Sequence, residues 1–398
     1  MNFEYQSVGN TATTIRRVSL LRLATNVVTD WMPGVPNSLA RGFVDLLGNV
    51  VKAESVLTMG KNGWVVQETV AGFEKQWKQM TSWMLGVAFC RFVAEIEGYP
   101  WWAPVSAFTA AKRKAKVSTG YWTRYLRIAG CRVQTPTPKV SNLYPDYVLA
   151  RKRKAFPLPE ISFAESKGDK RPIKNLTVPP GDWSSQSKNA EFVYNNVPMT
   201  AARHLLVATR VNPNAKNPTT RKVQVRAWNS RNPDDRSTES AFRAILAAHY
   251  IGVCERLDLT GNAELIALNC LLDALEADSD NLFRSPEYAA EIHNFDFLRG
   301  RREELSGIAR EELQTRGTRT NLIVYYNPNR ATFTVGDNAM QIGLSQYAMD
   351  VIGWLQGRID ANLPEETNET ISETGEETDP AEESDFDLRG DGVISEWQ

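Results

Sequence analysis

Tyr144-Pro145-Asp146-Tyr147-Val148-Leu149 and, after a basic turn, Glu160-Ile161-Ser162-Phe163-Ala164-Glu165-Ser166-Lys167-Gly168 are the two runs on which the reading of this chain rests. In the first, Asp146 opens a short apolar segment. In the second, Ile161 and Phe163 alternate with small or polar neighbours, the period-two pattern of a strand, and Gly168 punctuates its end. Paired as an antiparallel hairpin, the runs bring the start of one strand beside the end of the other, so Asp146 meets Glu165. Side chains alternate between the two faces of a strand, which puts Glu165 and Lys167 on the same side. Two carboxylates and one ammonium then converge at a sheet edge. That grouping suits a divalent cation and an activated water.

A Glu-x-Lys triplet is expected about once by chance in a chain of this length. The conjunction sets this one apart: Pro145-Asp146 upstream, eighteen intervening residues, apolar strand context on both sides, and Gly168 directly after the lysine. The arrangement resembles the PD-(D/E)xK nuclease superfamily, the fold of many restriction enzymes and phage-defence nucleases, over about residues 90–230. The resemblance implies an α/β fold class with a restriction-endonuclease-like mixed-sheet core. It implies Asp146, Glu165 and Lys167 as catalytic residues, and Mg²⁺ (or Mn²⁺) held by Asp146, Glu165 and the Ser166 carbonyl. The expected reaction is hydrolysis of DNA phosphodiester bonds, leaving a 5′-phosphate and a 3′-hydroxyl, in a setting of restriction or antiviral defence. Nucleases of this kind often carry a further acidic residue on the helix before the sheet, which makes Glu95 and Glu97 accessory candidates. Gln186 stands where some members place a functional glutamine, although the tyrosine expected four positions on is Ala190 here. The competing reading is a non-catalytic nucleic-acid-binding or assembly protein with a degenerate nuclease core.

Charge supports a polyanionic partner. The net charge of −1 conceals 45 basic and 34 acidic side chains over residues 1–364, against thirteen acidic and one basic from Glu365 onward. A basic body suits a polyanion; that the polyanion is nucleic acid, double-stranded DNA in the first place, is what the resemblance implies. The run Arg151-Lys152-Arg153-Lys154 lies in the turn between the two proposed strands and is expected near the same sheet edge, with Lys170, Arg171 and Lys174 in the loop after Lys167. Residues 111–132 interleave basic side chains with Tyr121, Trp122 and Tyr125, which can stack on exposed bases. The four cysteines are scattered without a Cys-x-x-Cys pair, as expected of reduced thiols in a cytoplasmic protein. Three unclustered histidines argue against a zinc or histidine-centred hydrolase, and His249 reads as a core residue. No apolar run is long enough to span a membrane.

The expected organisation has four parts. Residues 1–89 form an N-terminal helical region, with the strongest helical pattern at Phe73–Ile96. Residues 90–230 are the nuclease-like core, and 237–363 a mostly helical domain with one β-hairpin over Leu322–Val335. That third part carries no known motif and is compatible with binding a partner protein, pairing with a second copy or sensing a ligand. Residues 364–398 have the acidic, low-complexity composition of a disordered tail.

Overall fold

The computed structural model describes residues 2–7, 14–29, 57–60, 63–66, 75–108, 131–134, 144–152, 159–169, 190–195, 197–199, 203–210, 223–231, 238–277, 295–317, 322–328, 332–335, 338–358 and 386–397, with 179, 183, 187, 201 and 363 singly. Its strands begin with β1 (Asn2–Ser7), β2 (Thr14–Arg17), β3 (Leu57–Gly60), β4 (Gly63–Val66), β5 (Trp101–Pro104) and β6 (Cys131–Gln134). They continue with β7 (Tyr147–Arg151), β8 (Glu160–Asp169), β9 (Glu191–Tyr194), β10 (Val197–Met199), β11 (Arg203–Arg210) and β12 (Gln224–Arg231). The last six are β13 (Gln314–Gly317), β14 (Ile323–Tyr326), β15 (Thr332–Val335), β16 (Asn338–Leu344), β17 (Phe386–Leu388) and β18 (Val393–Trp397). The main helices are α1 (Leu20–Val28), α2 (Lys75–Ile96), α3 (Glu239–Arg256), α4 (Thr260–Ala277), α5 (Phe295–Glu311) and α6 (Gln346–Leu355). The class is mixed α/β, as expected.

Seven strands in the order β2-β1-β12-β11-β8-β7-β5 make the largest sheet. β5, β7 and β8 pair antiparallel, β8 and β11 parallel, and β11 and β12 antiparallel. The Ile161/Phe163 alternation is β8, and the alternation at Val225 and Ala227 is β12. Tyr147, Leu149, Ala164, Leu205 and Val207 share one apolar cluster with Val87 and Phe89 of α2. Val148, Ala150, Ile161 and Phe163 share another with Phe242 and Ile245 of α3. The sheet is therefore the middle of three layers, with α2 over β8 and β11 and α3 over β5 and β7 on the other face. Each fully buried apolar side chain contributes about 1.5–3 kcal/mol.

Helix boundaries follow from capping. α2 stops at Gly98, whose φ of 81° only glycine adopts without strain. There the Gly98 amide donates to the Glu95 carbonyl at 2.8 Å and the Tyr99 amide to the Ala94 carbonyl at 2.9 Å, the Schellman closure. α3 starts at Thr238, whose hydroxyl accepts from the Ala241 amide at 3.2 Å. In the same way Ser345 caps α6 through the Ala348 amide.

Three expectations about organisation are corrected. Residues 1–89 are not only helical: β1 pairs in parallel with β12, β2 pairs with β1, and β3 and β4 form a hairpin. Residues 237–363 carry more than one hairpin, in a sheet ordered β13-β14-β16-β18-β17 with β15 also on β16. Within it, β14 and β15 each pair with β16, and only two residues of sequence, 336 and 337, lie between β15 and β16. A two-residue Gly-x loop is the stronger hairpin signal. Residues 386–397 are not tail but β17 and β18, in that same sheet. The α3–α4 helices also share one apolar cluster with the central sheet, so the core runs across the proposed 230/237 boundary.

The turn joining β17 to β18 is anchored by a buried polar network. Arg389 pairs with Asp391, donates to the Thr29 hydroxyl at 2.9 Å, and lies 4.4 Å from the Trp102 ring. Asp391 Oδ2 is 3.0 Å from His249 Nε2, and the Tyr250 hydroxyl donates to the Asp391 carbonyl at 2.7 Å. His249 is thus the satisfied core histidine its apolar helix face suggests. Arg389 beside it holds the Asp391 carboxyl well below the usual carboxylate range, against the opposing pull of burial.

Candidate active site

β7 and β8 build the site. The ladder ends here with Tyr147 opposite Ala164, and one step outward lie Asp146 and Glu165. Pro145 restricts the backbone entering β7. The Asp146 carbonyl accepts from the Val105 amide at 3.0 Å, and its Oδ2 accepts from the Ser166 amide at 2.8 Å. The carboxylate is thereby fixed at the open end of the hairpin while the residue stays exposed. Alternation along β8 puts Ser166 on the α2 face and Glu165 and Lys167 on the opposite face, with Phe163. The Lys167 ammonium pairs with Glu165 Oε1. The structure therefore brings Asp146, Glu165, Ser166 and Lys167 together.

Glu165 is buried while the other members are accessible. Its pKa is pushed up to about 7, first by burial and then by the Asp146 carboxylate; Lys167 pulls the other way. Glu165 Oε2 is buried and has no hydrogen-bond partner among the described residues. A buried carboxylate oxygen in that state favours a bound cation. The available donors, two carboxylates and a backbone carbonyl, are the hard oxygens that Mg²⁺ and Mn²⁺ take. Among the described residues no cluster of three or more His, Cys, Asp or Glu side chains gathers, so any cation here would draw its remaining ligands from water or substrate. By donor chemistry the residues fit the metal.

Other sequence candidates lie elsewhere. Glu95 pairs with Arg22 at 2.8 Å and lies 3.7 Å from Arg389. Glu97 accepts from the Tyr5 hydroxyl at 3.0 Å and from Asn229 at 2.7 Å. Both sit at the C-terminal end of α2, about 13 Å or more along the helix from where Gly86 passes Ser166. Neither joins the pair of carboxylates. Arg151 is not a surface cation: it is buried, forks onto both oxygens of Glu160 at 2.7 Å, donates to the Glu97 carbonyl, and lies 4.3 Å from the Tyr99 ring.

Of the 151–154 run, the described residues Arg151 and Lys152 are also not at the site. The open end of a hairpin is opposite its turn, and Arg151 is four strand steps from Tyr147, about 13 Å. Lys152 is exposed and 3.5 Å from Glu239. Arg153, Lys154, Lys170, Arg171, Lys174, Gln186, residues 109–130 and the acidic stretch 364–385 lie outside the described residues. Among the described residues no helix is long and apolar enough to cross a membrane.

Sequence reasoning overlooked Gly86, the α2 residue that abuts Ser166, although a lone glycine inside a helical pattern signals a packing constraint. It also overlooked the Arg389–Asp391–His249 network, hidden in what read as an acidic tail. Searches of protein-family models, of curated proteins and of solved structures each return no match to this chain.

Proposed function

We propose that this protein is a Mg²⁺-dependent nuclease of the PD-(D/E)xK type, hydrolysing DNA phosphodiester bonds. The observation that carries the reading is the meeting of Asp146 with Glu165 across the open end of β7 and β8, with Lys167 on Glu165. The order of elements supports it too: a leading helix, three antiparallel strands, and a fourth strand parallel to the third, with strand order β5-β7-β8-β11.

In this reading Asp146, Glu165 and the Ser166 carbonyl would hold the metal, which would supply Lewis-acid polarisation of the phosphate and activation of the attacking water. Lys167, two residues from Glu165 on the same strand face, orients the attacking water and offsets negative charge on the phosphate. The water oxygen bonds to phosphorus as the bond to the 3′-oxygen breaks; the proton the water gives up is balanced by the one the leaving 3′-oxygen takes, giving a 5′-phosphate and a 3′-hydroxyl. Burial of Glu165 keeps water from competing for its oxygens and strengthens its attraction to a cation.

The test is incubation of purified protein with plasmid DNA and Mg²⁺. Cleavage is expected, abolished by EDTA, restored by Mg²⁺ or Mn²⁺ but not by Ca²⁺, and absent in Lys167→Ala. Cleavage that persists in EDTA or in Lys167→Ala would place the chemistry outside these residues.

A further inference from the structure

We propose that Gly86 is a positioning residue of the metal site, acting through Ser166; the inference rests on the nuclease reading. α2 carries a glycine at 86 among buried neighbours, where alanine would favour the helix by about 1 kcal/mol. The geometry supplies the reason. A Cβ built at Gly86 lies 2.9 Å from Ser166 Oγ and 3.8 Å from the Gly168 amide nitrogen. The first distance is shorter than real Cβ atoms tolerate, and the atom it meets is on a short side chain fixed to a central strand.

Ser166 is the joint of the site. Its amide donates to Asp146 Oδ2 at 2.8 Å, its carbonyl is the third candidate ligand, and its chain neighbours are Glu165 and Lys167. The two faces of β8 therefore do different work at one residue. The Oγ side rests against bare helix backbone, and that contact sets how deep the strand sits under α2. Depth in turn sets where Glu165 and Lys167 emerge on the opposite face. A methyl group at 86 drives Ser166 away from the helix, lengthens its bond to Asp146 and separates the two carboxylates. Displacements of this kind in the support of a metal ligand weaken metal affinity by about 10–100-fold.

The experiment measures Mn²⁺ affinity of the full chain by isothermal titration calorimetry, with thermal denaturation alongside. It uses the wild type, Gly86→Ala, Ser166→Ala, the double variant, and Glu165→Gln as the control that removes a ligand. Gly86→Ala alone is expected to weaken Mn²⁺ binding about 10-fold. Added to Ser166→Ala, which deletes the atom it strikes, the same change is expected to alter affinity less than about 2-fold. A glycine with a purely helical role would instead raise the melting temperature and leave Mn²⁺ affinity alone. Equal affinities of wild type and Gly86→Ala, or equal losses in both backgrounds, overturn the inference and leave the nuclease reading standing. If Gly86→Ala fails to fold, folding of the double variant supports the contact, and failure of both overturns it. Absence of Glu165-dependent Mn²⁺ binding in the wild type removes the nuclease reading and this inference with it.

Discussion

Replacing Glu165 by glutamine should make the protein more stable at alkaline pH, by an amount the site's electrostatics set. The Glu165 carboxyl is pushed from 4.5 to about 7 in the fold. A raised native pKa means the folded chain holds this proton more tightly than the unfolded chain. The stability it contributes is therefore fully present below about pH 4.5 and is lost as pH rises through about 7. One pKa unit corresponds to about 1.4 kcal/mol, so the full loss is about 3 kcal/mol. Glutamine keeps the volume and stays neutral, so Glu165→Gln lacks this loss. Urea denaturation of both proteins at pH 5 and pH 8.5 is the assay. The variant should lie within about 1 kcal/mol of the wild type at pH 5 and exceed it by about 3 kcal/mol at pH 8.5. Glu95 and Asp387, also raised by burial, push in the same direction in both proteins and cancel in the comparison, as does the oppositely shifted Asp391. Mg²⁺ at one hundred times its dissociation constant should return about 2.7 kcal/mol to the wild type at pH 8.5, and nothing to the variant. Parallel stability curves for the two proteins would refute the argument, because Glu165 would then not be a strained, cation-seeking carboxylate.

Arg151→Ala should leave DNA affinity unchanged and destabilise the fold by about 1.5–3 kcal/mol, since it strips charged hydrogen bonds from Glu160; filter binding and urea denaturation separate the two effects. A fall in DNA affinity at unchanged stability would return Arg151 to the nucleic-acid surface. Asp391→Asn leaves Arg389 without its buried carboxylate and should destabilise by about 3–5 kcal/mol at pH 7. Because the Asp391 carboxyl is depressed in the fold, its contribution is present above its unfolded pKa and lost as pH falls through the native one. The variant's deficit should therefore shrink on strong acidification, and a deficit independent of pH would mean the loss is one of packing.

Local pattern carried much of this fold. The alternation around Ile161 and Phe163, the buried run at Leu205–Thr209 and the helical period of Phe73–Ile96 are short-range signals, because a strand or helix written in one stretch of chain must repeat its apolar positions at two or 3.6 residues. Reading Asp146 and Glu165 as neighbours needed only the antiparallel hairpin of β7 and β8. Its partners are adjacent in sequence, so pattern alone sets the register.

What the sequence by itself determined ends there. That β1 lies beside β12 is a parallel pairing between segments more than two hundred residues apart, and the partner leaves no mark on the local pattern of Asn2–Ser7. The destiny of Arg151 was decided the same way. In a list of residues it belongs to a run of four cations, but as the last residue of β7 it faces Glu160 and Tyr99 and is buried. The C-terminal strands were masked by their acidic neighbours, since composition averages over a window while Arg389 and Asp391 find their partners one at a time across the core. Only the tertiary structure set α2 against Ser166, so close that a Cβ at Gly86 would lie 2.9 Å from Ser166 Oγ. A side chain's environment is fixed by whatever the rest of the chain brings beside it, and most of that arrives from far away in sequence.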